Sequence, residues 1–238
     1  MMPFTSVTGI AAPLIRDDIN TDEITPIQIA RTLKPDYTEL LFMRARRRAD
    51  GSPDPDFVFN RPQFLRPAIL VTGRNFGCGS SRESAVWAML AVGIRCIIAK
   101  SMADIYRENC LQNGVLPVEL ADAEAEALAA RVVAADGAMP FTVDLVAQRI
   151  SGPGGADIRF EIAAADRTRL LEGLDDIGLT LKHAAEIAAF EVRAREERPW
   201  QQTVVDSRRY FRGPHHEHEE AVPGIDRARP PGTDARCL

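Results

Sequence analysis

The segment Gly73-Arg74-Asn75-Phe76-Gly77-Cys78-Gly79-Ser80-Ser81-Arg82-Glu83 concentrates the residue types that can do chemistry. A short apolar run, Ala68–Thr72, precedes it, and a helical pattern, Arg82–Val92, follows and closes at Gly93. A glycine-rich loop between a buried strand and a helix aims backbone amides and the positive helix end at one spot. That suits an anion such as a phosphate or a carboxylate. Gly77 and Gly79 permit positive φ and close ligand approach. Ser80 and Ser81 add hydroxyls at that end, and Arg82 adds a fork for bidentate carboxylate binding. A plainer alternative competes. Ser80-x-x-Glu83 fits a capping box, which merely starts a helix. A nucleotide P-loop does not fit, because Gly73-x-x-x-Gly77 has the wrong spacing and no Lys precedes the serines.

Other chemistry-bearing residues are scattered. Cys78, Cys96, Cys110 and Cys237 form no Cys-x-x-Cys, and their gaps suit neither a zinc nor an iron–sulfur site. This chain is therefore expected to hold no metal by itself. Cys78 reads either as a reactive thiol near a helix start or as a small buried loop residue. The imidazoles of Pro214–Glu220 could bind a metal but have no evident second shell to orient them. The cluster Arg44, Arg46, Arg47 and Arg48 reads as a solvated or partner-facing charge run, or as a preference for an anionic substrate.

These residues need a scaffold. Ala68–Thr72, Arg95–Ala99 and Val115–Leu120 read as strands, and Arg82–Val92 and Met102–Gln112 as the helices between them. Alternation at this spacing predicts parallel pairing with crossover helices. Val7–Ile15 is small and apolar. Asp18–Pro26 reads as a loop. Ile27–Leu33 predicts a short helix stopped by Pro35, and residues 36–67 look irregular. Ala121–Ala135 is helical. Phe141–Ile150 and Asp157–Ala163 predict an antiparallel hairpin across Ser151–Gly155. Leu181–Glu197 has apolar residues at helical spacing. Residues 201–238 mix Pro, Gly and both signs of charge without periodicity, and predict a disordered tail.

Composition bounds the class. The chain has 238 residues, 45% hydrophobic and 26% charged, with a net charge of −5. That is an ordinary globular composition with no general attraction to nucleic acid or anionic membrane. No apolar run approaches a membrane span. Met1–Ser6 lacks a basic stretch leading into an apolar block, so a cytoplasmic location is expected.

The loop gains meaning from its surroundings. Thr21-Asp22-x-Ile24-x-Pro26 lies upstream, with Phe57-Val58-Phe59-Asn60 between. Ala103-Asp104-Ile105, Asn109 and Leu116-Pro117-Val118 lie downstream, followed by Asp176-Ile177-Gly178-Leu179-Thr180-Leu181. In this order, and with Gly77–Glu83, these motifs resemble the swivelling domain of the aconitase superfamily, over roughly residues 7–200. Within it they resemble the small subunits of 3-isopropylmalate dehydratase. The family usually continues Arg-Glu-His, where this chain has Arg82-Glu83-Ser84. After Leu41-Phe42 it often has an acidic and aromatic stretch, where this chain has its arginines.

The resemblance implies an α/β fold: a swivelling β/β/α domain over residues 1–200, with a small mixed sheet flanked by helices, and a flexible tail at 201–238. It implies that Ser80 is the catalytic base, that Ser81, Arg82 and Gly79 bind a substrate carboxylate, and that Asp22 is the acidic active-site residue. An Asp bonding its own loop is the other reading of Asp22. It implies a large partner subunit, in a heterodimer or heterotetramer, that carries a [4Fe–4S] cluster acting as Lewis acid on the departing hydroxyl. The implied reaction is the dehydration and rehydration that interconverts 2-isopropylmalate and 3-isopropylmalate in leucine biosynthesis. A citraconate, dimethylmaleate or homoaconitate hydro-lyase subunit, or a non-catalytic anion-binding module, are the alternatives.

Overall fold

The fold comes from a computed structural model that describes residues 1–26 and 35–202. The helix expected at Ile27–Leu33, the Pro214–Glu220 cluster and nearly all of the expected tail lie outside these residues. The chain divides into two compact units, Met1–Ala184 and Ala185–Leu238.

The first unit is built on two four-stranded sheets. β2 (Ala11–Leu14), β3 (Ile69–Thr72), β4 (Cys96–Ala99) and β5 (Leu116–Glu119) pair in that order, all parallel. β1 (Ser6–Gly9), β6 (Phe141–Asp144), β7 (Arg149–Ser151) and β8 (Ile158–Arg159) form an antiparallel meander. The expected parallel and antiparallel strands thus segregate into separate sheets. Val7–Ile15 serves both, crossing from one to the other at Ile10.

Strand alternation sorts the core into two layers. Leu70, Ile97 and Ala99 face one way, joining Phe42, Phe59, Phe64, Phe76 and Tyr106. Ile69, Val71, Cys96, Ile98 and Val118 face the other way. A strand buried on both faces reads as a near-continuous apolar run, as β4 does throughout and β3 does up to its last residue, Thr72. α3 (Glu83–Ala91) buries Ala85, Val86, Ala88 and Met89 in the first layer, beside α4 (Asp104–Gln112). α5 (Asp122–Ala135) buries Ala125, Leu128 and Val132 in the second, together with Phe141, Val143 and Ile150 of the meander.

Several segments differ from their sequence reading. Asp18–Pro26 holds a one-turn helix, α1 (Thr21–Ile24), because the Asn20 side chain caps it at Glu23 N, 2.8 Å away. A second single turn, α2 (Tyr37–Leu40), is capped by Asp36. Phe141–Ile150 is not one strand. Asp144 Oδ1 accepts from Ala147 N at 2.8 Å and folds the chain back, so the meander gains β7. α6 (Ala164–Glu172) ends at Gly173 in the left-handed region. The apolar period read across Leu181–Glu197 is split between α7 (Asp176–Leu181) and α8 (Ala184–Glu197). α8 and the turn Pro199–Gln202 account for the described part of the second unit.

Candidate active site

The glycine-rich loop begins where β3 ends. A Cβ on Gly73 would lie 2.1 Å from Asp17 Oδ1 and 2.5 Å from Arg16 O, so no other residue fits there. From that point the loop does not wander. It runs beside residues 16–22, prolonging the β2–β3 pairing past both strands. Gly73 N donates to Arg16 O at 3.1 Å, Asp18 N to Arg74 O at 2.9 Å, Gly77 N to Ile19 O at 2.8 Å and Thr21 N to Cys78 O at 2.9 Å. Side chains add rungs: Arg74 N donates to Asp17 Oδ1 at 2.6 Å, and Asn75 Nδ2 to Asp18 Oδ1 at 2.7 Å. The last two rungs are Thr21 Oγ1 to the Ser80 carbonyl at 2.7 Å and the Arg82–Asp22 ion pair.

The other flank is pinned as firmly. Phe76 N donates to Ser101 O at 3.1 Å and Ala103 N to Phe76 O at 3.0 Å. Gly77 has φ +77°, and a Cβ there would sit 2.1 Å from Tyr106 Cγ. This glycine is required both by backbone conformation and by the approach of the Tyr106 ring. Gly79, at φ +92°, has more room, with its nearest neighbour at 3.6 Å.

A cleft of about 210 Å³ opens above the loop. Gly77, Gly79, Ser80, Ser81 and Arg82 line it, facing Thr21 and the first turn of α4 with its preceding residue, Ala103–Tyr106. Two helix starts therefore face the cleft, each with unpaired amides and a partial positive charge. Ser80 and Ser81 are exposed, and neither hydroxyl has an intramolecular partner among the described residues. Arg82 is the reverse. Its side chain is 11% exposed, and its Nε–H is buried without a partner among the described residues. Asp22, 59% exposed, takes the Nη1 end of the guanidinium. It does not line the cleft itself, and its carboxylate reaches across to Arg82 and not back to its own loop.

The capping box does not form. α3 starts at Glu83, with Arg82 in the N-cap position and no side-chain cap bond. Ser80 is thus two residues too early to cap. The Glu83 carboxylate instead accepts from Asn113 Nδ2 at 2.9 Å, while Asn113 Oδ1 accepts from Trp87 Nε1 at 3.0 Å. The serines are left for the cleft.

The described cysteines, Cys78, Cys96 and Cys110, are poor candidates for metal binding. Cys96 and Cys110 are fully buried in apolar layers, and burial pushes both thiols up, away from the thiolate form a metal needs. Burial, and then the Asp18 carboxylate, also push the Cys78 thiol up, so it is not an activated nucleophile. No group of three or more His, Cys, Asp or Glu side chains is arranged to hold a metal among the described residues. An iron–sulfur cluster does not fit this set.

The basic cluster is largely structural. Arg46 donates to Asn60 Oδ1 at 2.9 Å and Phe59 O at 3.2 Å, and Asn60 Nδ2 returns a bond to Arg46 O at 2.7 Å. Arg47 donates to Gly51 O at 3.3 Å, and Arg48 pairs with Asp54 at 3.5 Å. These side chains brace their own loop. The structure sets Gly79, Ser80, Ser81 and Arg82 along one cleft, with Asp22 paired to Arg82 beside it. Sequence reasoning gave no role to Thr21, although Thr21-Asp22 opens the upstream motif, because a threonine beside an acidic residue carries no chemical signal of its own.

Known proteins resemble the chain along most of its length. The Aconitase C-terminal domain family matches residues 1–123 and LeuD_N matches residues 126–164. The family for the C-terminal domain of the 3-isopropylmalate dehydratase small subunit matches residues 176–204. The 3-isopropylmalate dehydratase small subunit of Dinoroseobacter shibae is 50% identical over 202 residues, covering 84% of this chain and 100% of its own. That of Sinorhizobium fredii is 48% identical over 203 residues, with the same coverage. The crystal structure of 3-isopropylmalate dehydratase from Methanocaldococcus jannaschii superposes with a TM-score of 0.56 at 26% identity, over 78% of this chain and 99% of that one. With 50% identity over 202 residues that span the whole of such a relative, the chain belongs to the 3-isopropylmalate dehydratase small-subunit family.

Proposed function

We propose that this chain, with residues 1–200 as its swivelling domain, is the small subunit of a hydro-lyase. The enzyme interconverts 2-isopropylmalate and 3-isopropylmalate by dehydration and rehydration, in leucine biosynthesis in the cytoplasm. The observation that carries this is the cleft. A serine hydroxyl with no partner among the described residues stands beside a guanidinium whose buried N–H is likewise unpaired among them, above two helix starts.

Ser80 Oγ removes the proton from the carbon next to a substrate carboxylate. The C–H electrons become the C=C bond as hydroxide leaves the neighbouring carbon. Water then adds with the opposite placement, and the hydroxyl has moved by one carbon. A serine is a weak base unless its alkoxide is stabilised. Here the loop amides, the α3 start and Arg82 supply that stabilisation in a fixed geometry. Ser81, the Gly79 amide and the Arg82 guanidinium hold the carboxylate, and Asp22 sets the guanidinium from behind.

Nothing in the described residues assists the departing hydroxyl. That help is assigned to a large partner subunit, in a heterodimer or heterotetramer, whose [4Fe–4S] cluster would supply a Lewis acid. Reconstitution tests the reading. The pair should turn over 2-isopropylmalate in preference to citraconate, dimethylmaleate or homoaconitate. Ser80→Ala should lower kcat by about a thousandfold or more while the complex still forms on gel filtration. Full turnover by Ser80→Ala, or turnover of another acid alone, would defeat it.

A further inference from the structure

Thr21 is 1% exposed, yet it touches the loop at two points. Its backbone N–H donates to the Cys78 carbonyl at 2.9 Å, and its hydroxyl donates to the Ser80 carbonyl at 2.7 Å. These two carbonyls bracket Gly79, whose φ of +92° turns the chain sharply between them. The C=O and N–H of a trans peptide point in opposite directions. Drawing the Cys78 carbonyl onto Thr21 therefore fixes the direction of the Gly79 N–H. Drawing the Ser80 carbonyl onto Thr21 fixes that of the Ser81 N–H, and with it the Cα–Cβ vector of Ser80. The first contact is backbone, and any residue but proline makes it. The second needs a hydroxyl.

We propose that Thr21 is a positioning residue for the base and the amides of the cleft, acting through its hydroxyl on the Ser80 carbonyl. This rests on the assignment of Ser80 as base, and it adds a residue from a segment far away in sequence. Thr21 itself touches no reacting atom. Its hydroxyl holds the one peptide that joins the two serines. That peptide would otherwise swing about the glycine, which has the freest backbone in the loop.

The test uses Thr21→Val, Thr21→Ser and Thr21→Cys in the reconstituted pair. Valine keeps the shape and removes the donor. Serine keeps the donor, and cysteine replaces it with a weak one. Loss of alignment should lower kcat for Thr21→Val by about ten- to a hundredfold, with KM changed by less than about threefold. Thr21→Ser should recover to within about threefold of the parent, and Thr21→Cys should fall between. The ranking is read in kcat, so it holds even where Thr21→Val folds poorly, since serine and cysteine still differ. Backbone 15N order parameters of Gly79–Ser81 in the free chain should drop in Thr21→Val and not in Thr21→Ser. A kcat that ignores the donor, or order parameters that do not move, overturns the proposal. Failure of the functional reading looks different: the unmodified pair is then inactive on isopropylmalate, or Ser80→Ala keeps its rate. The order parameters decide the Thr21 clamp in that case too.

Discussion

Arg82 and Asp22 form an ion pair between unequal partners, one almost enclosed and the other mostly in solvent. Loss of the aspartate would leave an almost enclosed positive charge without its partner, whereas loss of the arginine would leave a carboxylate that water can solvate. The pair therefore acts as a mount for the guanidinium. Asp22→Asn keeps an oxygen for the Arg82 Nη1–H but removes the charge facing an almost enclosed guanidinium, and should cost about 1–3 kcal/mol. Without its anchor the guanidinium should meet the substrate in several orientations, raising KM roughly three- to thirtyfold with a smaller change in kcat. Steady-state kinetics of the reconstituted pair give the answer, and an unchanged KM would remove the mounting role.

The two loop glycines should separate folding from function. Gly77→Ala adds a Cβ at 2.1 Å from Tyr106 Cγ in a left-handed backbone, and should cost about 3 kcal/mol or more. Gly79→Ala meets nothing closer than 3.6 Å and should cost about 1–2 kcal/mol from the backbone alone. Its main effect should be on turnover, because it stiffens the turn that presents Ser80. Urea denaturation of both variants measures the difference. Equal losses would contradict the steric account.

Alkaline pH should destabilise the fold. Burial holds the Cys96 and Cys110 thiols and the Tyr106 phenol well above their ordinary values. These groups bind their protons more tightly folded than unfolded. Stability is then intact below the ordinary thiol range and falls as pH rises above it, by about 1.4 kcal/mol per pH unit for each group ionised only in the unfolded chain. Urea midpoints between neutral pH and pH of about 10.5 test this. The double variant Cys96→Ala/Cys110→Ala should start less stable but decline less steeply, and parallel declines would refute the cause.

Arg169 ties three helices together. Its side chain is 6% exposed, and it donates to Glu108 of α4 and Asp176 of α7, both at 2.6 Å, from its place in α6. Both carboxylates remain partly solvated, so their loss of a partner is tolerable. Arg169→Met, which keeps the packing stem, should destabilise by about 1–2 kcal/mol, and Arg169→Ala by about 3 kcal/mol. Equal effects in urea would show that packing carries none of the difference.

Much of the site was legible because its signals are local. The three glycines, the strand before them and the helix after them lie within one short stretch, and their order alone predicts a strand–loop–helix turn that either meets an anion or merely starts the helix. The parallel strands were legible from apolar runs buried on both sides. The capping box misled because S-x-x-E specifies a helix start only if the helix begins at once, and here Arg82 holds the N-cap position. The β6–β7 turn went unread because Leu145–Gln148 contains neither Gly nor Pro. Its cause is the Asp144 side chain reaching Ala147 N. The role of Thr21 was invisible for another reason. It depends on a partner 59 residues away, and no period or spacing encodes such a contact.

The ladder joining residues 16–22 to 73–82 also decides when the site can exist. Its two rails are far apart in the chain and are brought together only once β2 has paired with β3. A fragment beginning after Asp22 would carry every residue of the Gly77–Glu83 motif and still be chemically silent, since nothing would hold the Ser80 peptide or the Arg82 guanidinium. Non-local pairing of this kind forms late and slowly. The cleft is therefore a by-product of completed folding, and its shape exists only once the parallel sheet has closed.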